Sequence, residues 1–185
     1  MNPSRPIVIT GFMACGKTEV ARRLALRLNL QMIDLDHAIS EREGRTPGQL
    51  IEEEGEPAFR AIETEMLGEV LQGRIGIVAL GGGAWIKEAN RSLICENQGI
   101  TVWLDAPFDL CWQRIAASPE VRPLGRSREQ AEQLYRLRQP IYQLATIRVA
   151  VIAHEPLESL VDRLETEVKT QEAQEARKAQ ETKTI

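Results

Sequence analysis

Residues 7–28 read IVITGFMACGKTEVARRLALRL, and this stretch decides the fold. Its first three residues are β-branched, which predicts a strand buried in a parallel sheet. The segment Gly11–Thr18 then has the form Gly-x-x-x-x-Gly-Lys-Thr. Beyond it, apolar residues recur at the spacing of one helix face, at Val20, Leu24 and Leu28. A strand, this loop and a helix in that order predict a phosphate-binding loop.

The chemistry of this loop follows from its backbone and from two side chains. Successive N–H groups curl around an anion, and the following helix adds positive potential at its N-terminus. Lys17 adds a positive charge for the outer phosphates of a nucleotide, and the Thr18 hydroxyl is an oxygen ligand of the kind that Mg²⁺ prefers. The alternative is a glycine-rich turn that only caps a helix, but the strand, the Lys-Thr pair and the helix together favour nucleotide binding.

The composition is that of one ordinary globular domain. The chain has 185 residues, of which 43% are hydrophobic and 27% charged, and its net charge is −4. This balance does not favour nucleic acid or a membrane as a partner. No apolar run is long enough for a spanning helix, and the first six residues lack the apolar core of a signal peptide. The three cysteines have no paired spacing, which agrees with the cytoplasmic location that we expect.

Strand-like and helical segments alternate along the rest of the chain. Apolar runs predict four more strands, at 31–36, 75–80, 100–104 and 146–152. We therefore predict an α/β fold with a five-stranded parallel sheet flanked by helices, and ligand binding beyond the carboxyl ends of the strands. Residues 1–168 are predicted to form a single domain, and the polar tail at 169–185 to be frayed helix or disorder.

Two acids close the second predicted strand. Asp34 and Asp36 are separated by one residue, so strand alternation would put both carboxylates on the same side. One acid could then hold Mg²⁺ through water while the other meets a substrate hydroxyl. The alternative is that these acids only cap the helix that follows. The nearby phosphate loop favours the functional interpretation.

Two further features would complete a site for a small anion. Arg60 and Glu63 lie three residues apart on a predicted helix, where their pairing can hold the guanidinium ready for a planar anion. A solvated surface ion pair is the alternative. The run Gly81-Gly82-Gly83 follows a strand, and glycines suit a place where the backbone approaches a ligand closely, although a plain turn has the same signature.

Arginines are frequent in the second half of the chain. Residues 118–128 contain two prolines and a glycine, which predicts a loop, and Arg122 lies within it. Three more arginines lie nearby, at Arg114, Arg126 and Arg128. A mobile arginine could cover the transferring phosphates and exclude water. Arg138 comes just before Pro140, where we expect a broken or kinked helix to hold it within reach of the pocket. The alternatives are a solvated basic loop and a surface arginine.

These motifs and their order along the chain resemble those of the shikimate kinases, which are small P-loop kinases of the nucleoside-monophosphate-kinase-like type. The matching marks are GFMxxGKT at 11–18, DxD at 34–36, GExxFRxxE at 55–63, GGGA at 81–84, RPL at 122–124 and RxPxY at 138–142. Each mark is weak alone, but the ordered set is specific. The resemblance implies ATP- and Mg²⁺-dependent phosphorylation of the shikimate 3-hydroxyl, on the route to aromatic amino acids.

The resemblance also implies roles for individual residues. Lys17, Asp36 and Arg122 would be catalytic: Lys17 at the outer phosphates, Asp36 at the accepting hydroxyl, and Arg122 from a lid at about 115–128. The nucleotide would contact Ala14, Cys15, Gly16, Lys17, Thr18, Glu19, Arg114, Arg122, His154 and Pro156. Shikimate would contact Asp36, Arg60, Gly81, Gly82, Gly83 and Arg138, with the helices at about 35–63 forming its binding region. Thr18 would hold Mg²⁺ directly and Asp34 would hold it through water.

Two rival functions remain open at this point. One is another small-molecule kinase of the same fold, for gluconate or aminoshikimate. The FRxxE motif and Arg138 favour a cyclic polyol that carries a carboxylate, which argues against gluconate. The other rival is a nucleotide-binding switch without phosphoryl transfer, but the chain has no Asn-Lys-x-Asp guanine motif. We expect a monomer whose only partners are small molecules.

The chain departs from the family pattern at three places. Ala14 and Cys15 replace the Gly-Ala or Gly-Ser that is usual inside the loop, and Ala150 stands where an aspartate is common. The segment between Arg122 and Arg138 is also a few residues shorter than in some members. Cys15 suggests a further hypothesis, because a thiol among loop amides should react with alkylating reagents unless the loop packing buries it.

Overall fold

Five parallel strands form the centre of the fold. They are β1 (Ile7–Gly11), β2 (Met32–Asp34), β3 (Ile77–Ala79), β4 (Ile100–Asp105) and β5 (Ile147–Ala150). The strands pair in the order β2-β3-β1-β4-β5, and every pairing is parallel. The computed structural model describes residues 5–73, 76–118 and 127–182. The predicted five-stranded parallel sheet is confirmed.

Eight α-helices within the described ranges flank the sheet. They are α1 (Lys17–Leu28), α2 (Leu35–Glu43), α3 (Pro47–Glu54), α4 (Glu56–Gln72), α5 (Glu88–Glu96), α6 (Phe108–Ala117), α7 (Arg128–Tyr142) and α8 (Leu157–Thr182). A 3₁₀ turn over Ala84–Ile86 precedes α5. None of these helices is both long enough and apolar enough to span a membrane, as far as the described residues go.

The strand order brings three loops to one edge of the sheet. β1 lies between β3 and β4, and β3 also pairs with β2. Because all strands are parallel, their carboxyl ends lie at the same edge. The segments that leave β1, β3 and β2 are the phosphate loop, the glycine run and the acid pair. Three distant parts of the sequence therefore become neighbours.

Local sequence signals account for several of the elements. The β-branched run at 7–9 is at most 2% exposed, as expected for a central parallel strand. Thr46 caps α3 by accepting a hydrogen bond from the Gln49 backbone, while the Gln49 side chain accepts one from the Thr46 backbone. Pro47 occupies the first helical position, where its missing N–H costs nothing.

The acid pair is not arranged as strand alternation predicts. β2 ends at Asp34, and α2 begins at the next residue. Asp34 is the N-cap of α2 and accepts a hydrogen bond from the His37 backbone, whereas Asp36 lies in the first helical turn. The expectation that two-residue strand periodicity aligns the two carboxylates is therefore wrong, because a helix start replaces the last residues of the predicted strand. Leu35 between them is fully buried.

The α7 helix also differs from its prediction. It continues through Pro140 and ends two residues later, so the helix is not broken there. Pro140 lies in the last turn, so the backbone hydrogen bond that it cannot donate is lost only near the end of the helix. The predicted lid at about 115–128 overlaps the end of α6 and the start of α7, but residues 119–126, including Arg122 and Arg126, lie outside the described residues.

The α8 helix extends well beyond residue 168, where the predicted domain ends. Of the two alternatives for the tail, the structure shows helix as far as Thr182. The described side chains beyond Val168 are exposed or only partly buried, in agreement with their polar composition. Near its start, α8 is tied to α1 through ion pairs that Arg27 makes with Glu158 and Asp162.

Candidate active site

The phosphate loop wraps around the Lys17 side chain. Its ammonium group donates to the carbonyl oxygens of Gly11, at 3.1 Å, and Phe12, at 2.9 Å. Lys17 is only 9% exposed although it is charged, so these carbonyls compensate part of its desolvation. A buried lysine at the start of α1 concentrates positive charge where the loop amides and the helix dipole already favour an anion.

Two oxygen ligands suitable for a hard cation lie beside the loop. The Thr18 hydroxyl donates to Asp34 Oδ2 at 2.5 Å, so the two residues predicted to hold Mg²⁺ are in direct contact. The described ranges contain no group of three or more acidic, histidine or cysteine side chains that is placed to hold a metal ion. A metal here would therefore complete its coordination with water and substrate phosphate, which is how proteins usually hold Mg²⁺. The donor set fits that ion.

A cavity of about 870 Å³ opens at this edge of the sheet. The phosphate loop and the start of α1 form one wall, and Asp34, Asp36 and Gly82 form the end nearest β2 and β3. Residues from α6 and from the turn between β5 and α8 line the opposite end. The volume lies within the range of ligand sites and leaves room for two small molecules end to end.

The end of the cavity away from the acids suits a nucleotide base. Arg114 lines it and donates to the Ala14 carbonyl at 3.1 Å, which ties α6 to the phosphate loop. His154 lines it from the turn before α8 and has a left-handed backbone, with φ of 64°. The predicted contact Pro156 lies in the same turn, but among the described lining residues its neighbours Glu155 and Leu157 face the cavity instead.

The glycine run leaves space for two side chains of the site. A methyl group on Gly81 would overlap the Asp36 carboxylate, and one on Gly83 would lie 2.6 Å from Arg60 Cζ. Neither glycine has a positive φ, so space and not backbone conformation requires glycine here. Asp36 and Arg60 are therefore packed against the same short loop, although they come from α2 and α4.

Two carboxylates accept hydrogen bonds from Arg60. Its Nη1 donates to both oxygens of Glu63 at 2.9 Å, while its Nε and Nη2 donate to Glu56 Oε1 at 3.2 and 3.0 Å. The Glu63 side chain is completely buried and that of Arg60 is 16% exposed. The prediction of a pair is therefore confirmed in geometry, but the pair is not the solvated surface contact of the alternative interpretation.

Burial and the facing charges shift the pKa values of this pair in opposite directions. Burial raises the pKa of Glu63, and the adjacent Arg60 charge offsets only part of that shift. Burial lowers the pKa of Arg60, but Glu63 and Glu56 together bring it above its ordinary value. Arg60 consequently remains a cation, as a carboxylate-binding residue must.

Arg138 and Tyr142 hold the middle of the glycine run from the other side. Arg138 Nη1 donates to the Gly82 carbonyl at 3.0 Å, and the Tyr142 hydroxyl donates to the same oxygen at 2.6 Å. Arg138 is 7% exposed and Tyr142 is fully buried, and burial raises the pKa of the Tyr142 hydroxyl, which stays protonated as a donor. These bonds orient the Gly82 peptide.

The structure thus brings most of the predicted residues to one place. The phosphate loop, Asp34 and Asp36 share the cavity, and Arg60 and Arg138 reach the glycine run that closes its end. Glu19 and His154 line the cavity as well. Arg122 lies outside the described residues.

Cys15 is buried rather than accessible. It is 1% exposed, and a methyl group on Gly11 would lie 2.9 Å from its Sγ. The reactivity hypothesis requires a thiol that a reagent can reach. The structure therefore favours the packing interpretation.

Sequence reasoning assigned no role to several residues of the site. Tyr142 and Glu56 both belong to quoted motifs, and Glu56 carries a detectable signal because it lies four residues before Arg60. Ile152, 58% exposed, lines the cavity beside His154, yet no local pattern distinguishes it from a strand residue.

Comparison with known protein families agrees with this geometry. A family model described as shikimate kinase matches residues 13–169. The shikimate kinase of Thermobifida fusca is 40% identical over 160 residues, which cover 84% of this chain and 91% of that protein.

Two solved structures resemble this chain to different degrees. A shikimate kinase from Acinetobacter baumannii in complex with shikimate superposes with a TM-score of 0.82 at 29% identity, over 90% of this chain and 94% of that one. A gluconokinase from Sinorhizobium meliloti 1021 reaches a TM-score of 0.61 at 21% identity, over 91% of this chain and 97% of that one. The latter likeness shows the shared fold alone.

Proposed function

The chain belongs to the shikimate kinase family, and we propose that it transfers the γ-phosphoryl group of ATP to the 3-hydroxyl of shikimate, in the pathway to aromatic amino acids. One observation carries the proposal. The phosphate loop, the Asp36 carboxylate and the two arginines predicted to bind a carboxylate meet around the glycine run at one edge of the sheet.

Asp36 is the candidate for contact with the accepting hydroxyl. Its side chain lines the cavity at the end nearest β2 and β3 and lies against Gly81. A carboxylate in that position can accept the hydroxyl proton and aim the oxygen at the γ-phosphorus. Gly81 leaves the carboxylate room to point into the cavity.

Arg60 and Arg138 are the candidates for the shikimate carboxylate. Both guanidinium groups are largely buried, and each is fixed by a buried contact: Glu63 holds Arg60, and the Gly82 carbonyl accepts from Arg138. Fixed guanidinium groups bind a planar carboxylate with little further loss of side-chain freedom. Gly82 lies between the two arginines and would border the substrate ring.

Lys17, Thr18 and Asp34 would hold the phosphates and Mg²⁺. The buried Lys17 charge and the loop amides face the outer phosphates, while Thr18 and Asp34 offer adjacent oxygens to the ion. Bound Mg²⁺ would neutralise charge on the transferring phosphoryl group. Arg114 and the turn that carries His154 would enclose the base, and we assign Arg122 to a lid that excludes water.

We also propose the organisation of the whole chain. Residues 1–168 form a single kinase domain, in which 35–63 bind the substrate and 115–128 form the lid, and the chain acts as a cytoplasmic monomer. The three free cysteines support a reducing compartment. Light scattering coupled to gel filtration tests the oligomeric state, since a monomer has a mass of 20.8 kDa.

The substrate is tested by a coupled assay of ADP release. Shikimate, quinate and gluconate are offered in turn with ATP and Mg²⁺. Shikimate should give the highest kcat/KM. All three acids offer a carboxylate to the buried arginines, but a rigid ring holds the accepting hydroxyl at a fixed distance from that carboxylate, which the open chain of gluconate does not. Preference for gluconate would support the open-chain alternative, and absence of turnover with every acceptor would support a nucleotide-binding switch.

Asp36→Asn tests the assignment of the acid. We expect kcat to fall by about a thousandfold, because the amide cannot accept the hydroxyl proton. ATP affinity should remain close to that of the wild type, because the phosphate loop is unchanged. Stopped assays give kcat, and calorimetric titration of a non-hydrolysable ATP analogue gives the affinity. Near-normal turnover would exclude Asp36 as the proton acceptor.

A further inference from the structure

Two acids share the Arg60 guanidinium, and their surroundings differ. Glu63 is completely buried and accepts from Nη1 with both of its oxygens. Glu56 is 44% exposed and accepts from Nε and Nη2 with a single oxygen. The contact with Glu63 is held in place by the packing around that buried side chain. The second contact can open into solvent, because Glu56 is partly exposed and water can hydrate its carboxylate when the pair opens.

The edge that Glu56 occupies is one that can bind a carboxylate through two hydrogen bonds. Nε and Nη2 present two parallel N–H donors, which match the geometry of a planar carboxylate. Nη1 is already committed to the buried Glu63. A substrate carboxylate that binds Arg60 along Nε and Nη2 must therefore take the position of Glu56.

The surroundings allow Glu56 to leave while Arg60 stays. Glu56 is the first residue of α4, so its charge remains favoured by the helix N-terminus after the ion pair opens. The backbone of Arg60 is held separately, because Lys87 Nζ donates to its carbonyl oxygen at 3.2 Å and to Thr64 Oγ1 at 2.9 Å. Glu63 fixes the guanidinium itself.

We propose that Glu56 is a specificity-determining residue that competes with the substrate carboxylate for Arg60. This inference rests on the proposed role of Arg60 and adds a partner to it. In the free protein Glu56 neutralises the Nε and Nη2 edge. A ligand with a carboxylate must displace Glu56 before it binds Arg60, whereas a neutral ligand leaves Glu56 in place, so the competition lowers the affinity for acids and not for neutral cyclic polyols. The observed affinity is reduced by the fraction of molecules in which Glu56 occupies the arginine.

The experiment measures the dissociation constant of shikimate by calorimetry, with the full chain and without ATP. Glu56→Gln removes the competing charge and should lower that constant by about threefold, the change expected when Glu56 occupies Arg60 in about two thirds of the free molecules. Glu56→Asp keeps the charge but withdraws the carboxylate by one methylene, and it should lower the constant too. Glu88→Gln is the matched control, since Glu88 is the exposed first residue of α5.

The methyl ester of shikimate serves as the second probe. It has no carboxylate to place on Arg60, so neither Glu56 variant should bind it more tightly than the wild type does. Thermal unfolding of each variant by circular dichroism verifies that the fold is retained.

Each other outcome overturns the proposal in a recognisable way. Weaker shikimate binding by Glu56→Gln would make Glu56 a support of Arg60 and not a competitor. Tighter binding by Glu56→Gln but not by Glu56→Asp would indicate a through-space charge effect. Equal gains for acid and ester would indicate a general change of shape. The proposed function fails separately, if the wild type does not phosphorylate shikimate or if Arg60→Ala binds it as well as the wild type does.

Discussion

The phosphate end of the cavity is built from one continuous segment, whereas the substrate end takes side chains from separate elements. Residues 11–19 supply the loop, its lysine and the start of α1. Asp36 comes from α2, Arg60 from α4, the glycine run from the β3 exit and Arg138 from α7. The first end depends mainly on backbone amides, and the second on side chains held by one buried ion pair and by hydrogen bonds to the glycine run.

This difference has a consequence for how each end tolerates substitution. Backbone amides cannot be removed by changing a side chain, so the phosphate end depends most on Lys17 and on the shape of the loop. The substrate end depends on several mutually supporting contacts, in which the position of one side chain is set by another. Variants of the two ends should therefore affect different kinetic constants.

The largest effect is expected from Lys17→Ala, at the phosphate end. We expect kcat to fall by about a thousandfold, because a buried charge that stabilises the transferring phosphoryl group is lost. The affinity for shikimate in the absence of ATP should change little. A coupled assay gives kcat, and a calorimetric titration gives the dissociation constant of shikimate. A comparable loss of shikimate binding would show that the two ends are not independent.

Arg60→Ala is the corresponding change at the substrate end. It should raise the KM for shikimate by about thirtyfold, since hydrogen bonds to charged groups contribute roughly 1.5–3 kcal/mol each. The affinity for the ATP analogue should be retained. Initial rates over a range of shikimate concentrations measure the effect. An unchanged KM would exclude Arg60 from the carboxylate site.

Gly83→Ala tests the clearance on which Arg60 depends. The added methyl would lie 2.6 Å from Arg60 Cζ and 2.7 Å from Nη1, so the guanidinium must move although Glu63 holds it. We expect a rise in KM of about tenfold, through misplacement of a fixed donor. Gly68→Ala is the control. Apart from the adjacent residues and the backbone of its own helix, no atom lies within 4 Å of the added methyl, and the change should raise the free energy of unfolding by about 1 kcal/mol. Equal kinetics for both variants would contradict the clearance argument.

Ala14→Gly tests backbone strain at the phosphate end, and its expected effect is the smallest. Ala14 has φ of 59°, a left-handed conformation that costs a residue with a Cβ roughly 1–2 kcal/mol. Glycine removes that cost but loses more chain entropy on folding, so we expect a net gain of about 0.5 kcal/mol in the free energy of unfolding. Chemical denaturation measures it. The control Ala89→Gly in α5 should instead lower the free energy of unfolding by about 1 kcal/mol. A similar decrease for Ala14→Gly would show that the left-handed backbone of Ala14 is not strained.

The two ends also differ in how well their arrangement could be predicted. The phosphate loop was predictable because strand, loop and helix are contiguous, and the backbone there determines the site. The Asp34 and Asp36 pair shows the limit of local reasoning. Both residues lie at the predicted edge, but a helix begins at Leu35, one residue after the strand ends, and the strand-period argument fails. Periodicity locates an element more reliably than it locates the element's last residue.

The contacts around Arg60 could be predicted only in part. The three-residue spacing to Glu63 indicates a pair, but not that the acid is completely buried or that Glu56 holds the other edge. Likewise, RxPxY does not indicate that Arg138 and Tyr142 converge on one carbonyl, 56 and 60 residues away in the chain. The roles of these residues in binding and catalysis remain predictions.

The sequence by itself determined the α/β class, the phosphate loop and the family, because each rests on contiguous patterns or on an ordered set of motifs. Only the tertiary structure decided which side chains share the substrate end and which of them are buried. The physical reason is that the strand order places the exits of β1, β2 and β3 side by side. Desolvation and clearance at that edge are set by neighbours that are distant in the chain.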